Sequence, residues 1–391
     1  VLLLEKRTFK ELLVDMELRN LQNNIVGQEA SRLFARAEIN MGVEAFRDSL
    51  YSLLKRNTFL NIKFENMLDT LGEISRTDIR SLLGEWEKTT PLPFYSLGEP
   101  TLTKITNKGG EEFFVLKMLI SNNSDYDGII HMDIRKDGWW YQPLEDPRAK
   151  TKIEMPAHTS KEFVSVWEDQ IRNVEINTMV SGNLPNIISQ DINNVKQERN
   201  KIVKDSIYIL PESSFDLPGE IIVDNEDSTL FILSAPPIVG LLPKWLDEVE
   251  ETPFKYSGIS WWRPPLQWTA TTNDRYYGKY IRSAFVIKSG DGSQTATWKV
   301  PVPEVGQYDL YYHVFKDDEL RWNNNLQGEY HFKVKYGSEV EDAYVNLRKA
   351  NEGWEQLGSY YFDSDTIRVV LTDECKLRSV TADAVKIVKR Y

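Results

Sequence analysis

The spacing of apolar residues changes once along this chain of 391 residues, and that change constrains the fold most strongly. From about residue 28 to residue 86 the apolar residues recur at helical spacing, as in Phe46, Leu50 and Leu53. After Thr89–Pro93, whose two prolines end a helix, they alternate with polar residues as in strands, as in Ile130, Met132 and Ile134 and again in Tyr308, Leu310, Tyr312 and Val314. The sequence therefore predicts a multidomain fold, α then β, with a small helical domain, an antiparallel β-sandwich and a C-terminal jelly-roll β-sandwich.

Shifts in composition give the predicted domain bounds. The helical domain covers residues 1–95, and an Ig-like β-sandwich covers residues 96–190. Residues 191–218 form a connector, in which the spacing over Ile187–Val203 indicates a helix. The jelly-roll sandwich covers residues 219–391, where glycine-containing turns separate alternating strands.

Two polar positions are predicted to cap helices of the first domain. Asn61 stands where the N-cap of a helix is expected, and Thr77 followed by Asp78 stands before the next helix. Short polar side chains at these positions accept hydrogen bonds from the free amides of the first turn.

Charge and composition exclude several classes of partner. Lys and Arg number 47 against 59 Asp and Glu, a net charge of −12, and there is no run of basic residues, so nucleic acid is not expected. No apolar stretch approaches the roughly 20 residues that span a bilayer.

Cys375 is the single cysteine, which excludes an intrachain disulfide. The chain begins at Val1 without an initiator Met, and we expect it to be a piece of a longer polypeptide.

The sequence of this chain assigns no catalytic residue and no metal ligand. Zinc hydrolases use two His one helical turn apart, but none of the four His here lies within five residues of another. A second possibility is that His313 and His331 meet across two strands and bind a metal with Asp317 or Asp318; two solvated histidines are the favoured interpretation.

Two acidic turns have partial calcium-loop character. Asn123–Gly128 has alternating oxygen-bearing side chains before a glycine, but Ile134 stands where the loop needs a Glu. Asp224–Asp227 is the second candidate. A tight turn and a solvated acidic turn are the favoured interpretations.

The candidate ligand-binding residues are aromatic. Flat rings stack on the C–H faces of sugars while neighbouring polar side chains bind hydroxyls, so an aromatic platform predicts glycan binding. Packing in a core or between domains is the favoured interpretation of these rings, and both interpretations apply to Trp139–Tyr141 as well. The platform residues are Trp261, Trp262, Trp268, Tyr276, Tyr277 and Trp322.

A set of segments in the first half of the chain forms a recognisable pattern: Phe46–Leu50, Asn57–Phe59, Phe64–Leu71, Ile74–Ile79, Trp86, Pro91–Pro93 and Glu175–Pro185. On these segments, residues 25–185 resemble the end of the helical region of M1 gluzincin aminopeptidases and the β-sandwich that follows it. Arg76 stands where that family usually has Gly. The resemblance implies that this chain is the non-catalytic C-terminal part of an M1-like metallopeptidase, with zinc held only by an upstream domain.

Six segments of the last 170 residues stand in a recognisable order: Glu220–Asn225, Ala296–Trp298, Pro303–Tyr308, Tyr330–Val334, Gly353–Gly358 and Ala382–Val388. Together they resemble the golvesin or xanthan-lyase type of C-terminal domain. An apparent insertion lies between Asp227 and Trp261. The resemblance implies a jelly-roll sandwich appended to secreted bacterial enzymes and surface proteins, hence carbohydrate or cell-surface attachment and an extracytoplasmic location.

Two hypotheses of function follow. In the first, the chain is the non-catalytic region of a secreted bacterial M1-like metallopeptidase, and its golvesin-like domain binds polysaccharide or a cell-surface glycan. In the second, the sandwiches are structural and pack on an upstream peptidase or pseudo-peptidase domain. The glycan and the oligomeric state are left open.

Overall fold

The computed structural model describes most of the chain in two compact units, Val1–Phe215 and Asp216–Tyr391. The finer predicted bounds at residues 95, 190 and 218 stay a prediction. The described residues are 2–15, 19–58, 60–76, 78–83, 88–89, 91–136, 142–199, 203–211, 219–234, 255–256, 258–260, 262–316 and 328–390.

The first unit begins with helices. In its described part these are α1 Phe9–Val14, α2 Arg19–Met41, α3 Val43–Arg56, α4 Phe64–Ser75 and α5 Ile79–Leu83, with 3-10 helices at Leu2–Glu5 and Pro147–Ala149. Phe46 and Leu53 of α3 pack with Leu68 and Leu71 of α4 and with Leu33 of α2 in one apolar cluster. The apolar spacing that predicted the helices therefore supplies their shared core. No described helix is long and apolar enough to cross a membrane.

One of the predicted caps is confirmed and the other is wrong. Oδ1 of Asp78 accepts from the Ser81 amide at 3.0 Å at the start of α5, and Thr77 lies outside the described residues. Asn61 does not cap α4, because the helix begins at Phe64 and its N-cap is Lys63, without a side-chain hydrogen bond.

Two sheets follow the helices in the first unit. Their strands are β1 Tyr95–Leu97, β2 Thr101–Thr106, β3 Glu112–Asn122, β4 Gly128–Lys136, β5 Gln142–Pro143, β6 Lys150–Met155, β7 Thr159–Trp167, β8 Ile171–Asn177, β9 Ile187–Asp191, β10 Val195–Arg199 and β11 Ser206–Pro211. One sheet has the strand order β10-β2-β3-β7-β11 with β1 on β3, and the other has the order β5-β4-β8-β9 with β6 on β4.

The core of this sandwich is built from alternating residues of both sheets. Leu116 and Met118 of β3 pack in one cluster with Ile130, Met132 and Ile134 of β4. The period of two in β4 thus places every second residue in the core, as the sequence predicts.

The helix predicted over Ile187–Val203 is wrong, because β9 and β10 occupy this segment. β9 pairs antiparallel with β8, and β10 pairs parallel with β2. The backbone hydrogen bonds that these sheet edges offer outweigh a weak helical spacing of apolar residues.

The second unit consists of strands in its described part. Their bounds are β12 Glu220–Val223, β13 Phe231–Ser234, β14 Thr269–Thr272, β15 Ser283–Lys288, β16 Thr295–Pro301, β17 Gly306–Val314, β18 Glu329–Tyr336, β19 Glu339–Asn346, β20 Gly353–Phe362, β21 Thr366–Thr372, β22 Ser379–Ala382 and β23 Val385–Lys389. These strands form a four-stranded sheet β12-β23-β17-β20, a five-stranded sheet β13-β16-β21-β18-β19 and a three-stranded sheet β14-β15-β22.

The core of the second unit lies between these sheets and centres on Trp298. Its indole is fully buried, lies 5.4 Å from the ring of Phe231, and donates from Nε1 to the carbonyl oxygen of Asp383 at 3.1 Å. Tyr312 of β17 and Phe332 of β18 are also fully buried in this core. The predicted fold class, helices followed by antiparallel β-sandwiches, is confirmed.

Candidate functional site

The outer face of the four-stranded sheet carries a group of aromatic and polar side chains. Along β17, buried Leu310 and Tyr312 alternate with partly exposed Tyr311 and His313. Since successive side chains of a strand point to opposite faces, Tyr311 and His313 lie on the face turned away from the core. The strand register places Tyr311 opposite Lys386 of β23, and His313 opposite Trp354 of β20.

These side chains and Tyr277 form a compact cluster, which we call the aromatic face: Tyr277, Tyr311, His313, Trp354 and Lys386. The ring of Trp354 lies 5.1 Å from the rings of both Tyr277 and His313. The Nζ of Lys386 lies 4.7 Å from the Trp354 ring and 5.4 Å from the Tyr311 ring. These cation–π contacts hold the ammonium group between two aromatic rings.

The charge of Lys386 is paired on the same sheet. Its Nζ lies 2.9 Å from Oε1 of Glu220 on β12, and both side chains are largely buried. The aromatic face therefore presents rings and hydrogen-bonding groups with little net charge.

The buried carboxyl of Asp383 contacts two members of the aromatic face. Its side chain is fully buried, its Oδ2 lies 2.8 Å from Nδ1 of His313, and its two oxygens accept from the Tyr277 amide at 3.1 and 3.2 Å. Burial raises the pKa of the Asp383 carboxyl, and His313 opposes that rise. The Asp383 carboxyl thus holds both the His313 imidazole on β17 and the loop that carries Tyr277.

A polar network lies farther along the same face. Asp309 accepts from Nε of Arg390 at 2.8 Å and from Nε2 of Gln356 at 2.9 Å, and also from the Ser359 hydroxyl. Burial acts to raise the pKa of Asp309, but these hydrogen bonds outweigh it and hold the pKa below its ordinary value. Beside them on β20, Tyr361 is 60% exposed. This set offers donors and acceptors for the hydroxyl groups of a ligand stacked on the neighbouring rings.

The structure distributes the sequence-predicted platform over different environments. Tyr277 is part of the aromatic face. Tyr276 is buried with its ring 4.6 Å from Phe315, and Trp268 packs against the core. Trp262 is 81% exposed and stacks on the Arg378 guanidinium at 4.9 Å. Trp261, Trp322 and Trp139–Tyr141 lie outside the described residues.

Sequence reasoning missed four members of the aromatic face. Tyr311 and His313 are signalled by the alternation of β17 itself, since they stand between residues predicted to face the core. Trp354 and Lys386 carry no comparable signal, because their place beside Tyr311 and His313 depends on the pairing of β17 with β20 and β23.

The alternative metal site at His313 and His331 is wrong. The two histidines belong to strands of different sheets, and Nε2 of His331 lies 2.7 Å from Asp342, on β19. Asp317 and Asp318 lie outside the described residues. Within the described ranges, no group of three His, Cys, Asp or Glu residues is arranged to hold a metal ion.

The carboxylates of both acidic turns contact other groups of the protein. Asp125 lies 2.8 Å from Nε2 of His158, and Asp127 accepts from the Ala157 amide at 2.8 Å. In the second turn, Oδ2 of Asp227 accepts from the Asp224 amide at 3.0 Å. The contact between Asp224 and Asp227 closes a tight turn. Asp125 and Asp127 instead contact the turn between β6 and β7.

Three solved structures illustrate what the chain is similar to. A Paenibacillus xanthan lyase shares 16% identity over 77% of this chain and 27% of its own, with a TM-score of 0.31. A Bacteroides uniformis β-glucuronidase shares 12% identity over 81% and 32%, with a TM-score of 0.22. TmCBM61, solved in complex with β-1,4-galactotriose, shares 12% identity over 44% and 86%, with a TM-score of 0.17.

The chain thus spans 27% and 32% of the two larger proteins. No curated protein matches the sequence. None of these similarities supports the M1 resemblance of residues 25–185. Residues 264–389 match the family described as the Golvesin C-terminal domain. This match supports the golvesin-type resemblance for five of the six segments from which it was drawn.

Proposed function

We propose that the second unit is a carbohydrate-binding accessory domain that attaches its parent polypeptide to a polysaccharide or cell-surface glycan through the aromatic face. The observation that carries the proposal is the position of Trp354 and Tyr311 on an outward sheet face beside the polar network around Asp309. Aromatic rings stack on sugar rings, and the neighbouring carboxylate and amide bind hydroxyls. The family match over residues 264–389 supports an accessory role.

The charge of the aromatic face favours a neutral sugar. Lys386 is paired with Glu220, and Asp309 is paired with Arg390. A ligand with its own charge would have to compete with these ion pairs, whereas a neutral pyranose needs only ring faces and hydrogen bonds. We therefore infer a neutral glycan as the ligand of this face.

Affinity electrophoresis of the full chain tests this function. Gels that contain β-1,4-galactan, xyloglucan or glucomannan should retard the protein in at least one case. Trp354→Ala should weaken that binding by about tenfold or more, because truncating an aromatic anchor typically costs above 1 kcal/mol. Tyr311→Ala should also weaken binding. Weaker binding by both variants shows that the loss in Trp354→Ala does not come from a folding defect of that one variant.

Trp262→Ala is the matched control, since it removes an exposed indole elsewhere on the second unit. It should leave retardation unchanged. Equal loss in Trp262→Ala and Trp354→Ala, or no retardation by any of the three polymers, would contradict the proposal.

The parent polypeptide remains a separate proposal. The upstream M1-like zinc domain rests on the resemblance of residues 25–185. The secreted, extracytoplasmic and bacterial character of the parent rests on the golvesin-type resemblance of residues 220–388. The alternative, in which the sandwiches only pack on and position an upstream peptidase or pseudo-peptidase domain, rests on the same residues. The coding sequence upstream of Val1 tests the peptidase part of both proposals. An intact His-Glu-x-x-His helix there supports an active zinc domain, a degenerate form of it supports a pseudo-peptidase, and the absence of both contradicts an M1-like parent.

A further inference from the structure

The outer face of the five-stranded sheet carries a row of three cations. Lys299 of β16 is paired directly with Arg368 of β21, which is paired directly with Lys335 of β18. The residues that flank them along each strand are buried in the core, except Tyr336, which is partly buried against it, so all three side chains lie on the outer face. We call these three residues the cationic row.

The charges of the cationic row are not compensated within the described part of the chain. No hydrogen bond or ion pair there involves the side chain of Lys299, Lys335 or Arg368. Lys333 extends the positive charge by one further position on the same face of β18. Asp342 lies opposite Lys333, but its carboxylate contacts Nε2 of His331 at 2.7 Å.

This arrangement works against the stability of the sheet. Neighbouring strands lie about 4.8 Å apart, which places the Cα atoms of the three residues within about 10 Å of one another. Like charges at directly opposite positions of a sheet are destabilising. The protein has 59 acidic residues and a net charge of −12, yet it pairs none of the described ones with this row. Locally unfavourable arrangements of side chains are expected mainly at functional sites.

We propose that the cationic row binds an acidic polysaccharide, a glycan with carboxylate or sulfate groups repeated along its chain. The row crosses three strands of an open sheet face and suits an extended polymer laid across them. On the same face, Tyr344 is 55% exposed and stacks flat on His331, with ring centroids 4.8 Å apart, which offers a ring for a sugar of the same chain.

The small number of cations in the row favours a polysaccharide over nucleic acid. Duplex DNA carries one charge per ~1.7 Å and is bound by broad basic surfaces. A short cationic row on a protein of net charge −12 matches a ligand with about one charge per sugar ring. This surface lies on a different sheet from the aromatic face and requires no neutral glycan.

Affinity electrophoresis with polygalacturonate tests the inference on the full chain. The paired probe is the same polymer with its carboxyl groups methyl-esterified, which keeps the sugar and removes the charge. Wild-type protein should be retarded by polygalacturonate and not by the ester, and 0.5 M NaCl should abolish the retardation. The variant Lys299→Gln, Lys335→Gln, Arg368→Gln should bind at least about tenfold more weakly.

The matched control changes the net charge by the same amount in the first unit, at exposed lysines: Lys63→Gln, Lys108→Gln, Lys196→Gln. It should bind polygalacturonate as wild type does, and so should Trp354→Ala. Equal loss in the lysine control, equal retardation by the ester, or no retardation of wild type would overturn the inference. Tighter binding to a 30-nucleotide single-stranded DNA or to phosphatidylserine vesicles than to polygalacturonate would overturn it as well.

Discussion

Nδ1 of His313 lies 2.8 Å from Oδ2 of Asp383, and the same carboxyl accepts from the amide of Tyr277. Removing the carboxyl leaves a buried amide and an imidazole nitrogen without this partner. We expect Asp383→Ala to lower the free energy of unfolding of the second unit by about 2 kcal/mol, since each unsatisfied buried group costs roughly 1–3 kcal/mol. Asp383→Asn keeps an acceptor for Tyr277 and should cost less.

Cys375 provides the measurement for this prediction. It is the single cysteine of the chain and lies partly buried in the second unit, where burial raises the pKa of its thiol. Its reaction with 4,4′-dithiodipyridine across a urea series reports unfolding of that unit alone. Equal midpoints for Asp383→Ala and wild type would show that the carboxyl does not hold the loop and the sheet together.

Asp224 should make the second unit less stable as pH rises. Burial, and then the nearby Asp383, raise the pKa of Asp224 from 3.8 to about 9. The folded state therefore keeps a proton that the unfolded chain releases, so stability is lost as pH rises from about 4 to about 9. Asp224→Asn removes this loss, and its advantage over wild type should grow by about 1 kcal/mol or more between pH 5 and pH 8.

The same thiol assay at pH 5 and pH 8 measures the Asp224 effect. The dithiodipyridine reagent is suitable because it reacts with thiols at acidic pH as well. A wild-type chain whose unfolding midpoint rises between pH 5 and pH 8, with Asp224→Asn following it in parallel, would contradict the assigned pKa.

Arg76 ends α4 in the left-handed conformation, with φ 55°, and its amide donates to the carbonyl of Gly72. A residue with a Cβ pays roughly 1–2 kcal/mol for this conformation, and glycine does not. We expect Arg76→Gly to raise the thermal midpoint of the first unit by a few degrees. Circular dichroism at 222 nm follows this unit, because the described helices all belong to it.

Arg47→Gly is the matched control for Arg76, since it places the same substitution inside α3. It should lower the midpoint, because glycine in a helix interior costs about 1 kcal/mol. If both variants lower the midpoint, the backbone at Arg76 is not strained enough to outweigh the flexibility of glycine.

The elements that the sequence predicts well are those with a regular period and a single buried face. The alternation in β4 and β17 places Ile130, Met132, Leu310 and Tyr312 in the cores where they are found. The helical spacing around Phe46 is equally regular. In these elements the local pattern and the tertiary packing agree.

The aromatic face is harder to predict because strand pairing assembles it. Tyr311 and Trp354 are 43 positions apart, and only the register of β17 with β20 and β23 places them beside the same Lys386. In the sequence, the tryptophan-rich segment near Trp262 is a more conspicuous candidate for a binding site. Density of aromatic residues does not distinguish a ring that packs inward, such as Trp268, from one that faces outward.

Hydroxyl-radical footprinting of the full chain tests the central claim, that the aromatic face binds a glycan, most directly. The footprint is taken with and without whichever neutral polysaccharide retards the protein. We expect oxidation of Trp354 and Tyr311 to fall by severalfold in the bound state, while exposed Trp262 continues to react as before. Protection of Trp262 with unchanged oxidation of Trp354 and Tyr311 would contradict the account and move the binding site off the four-stranded sheet.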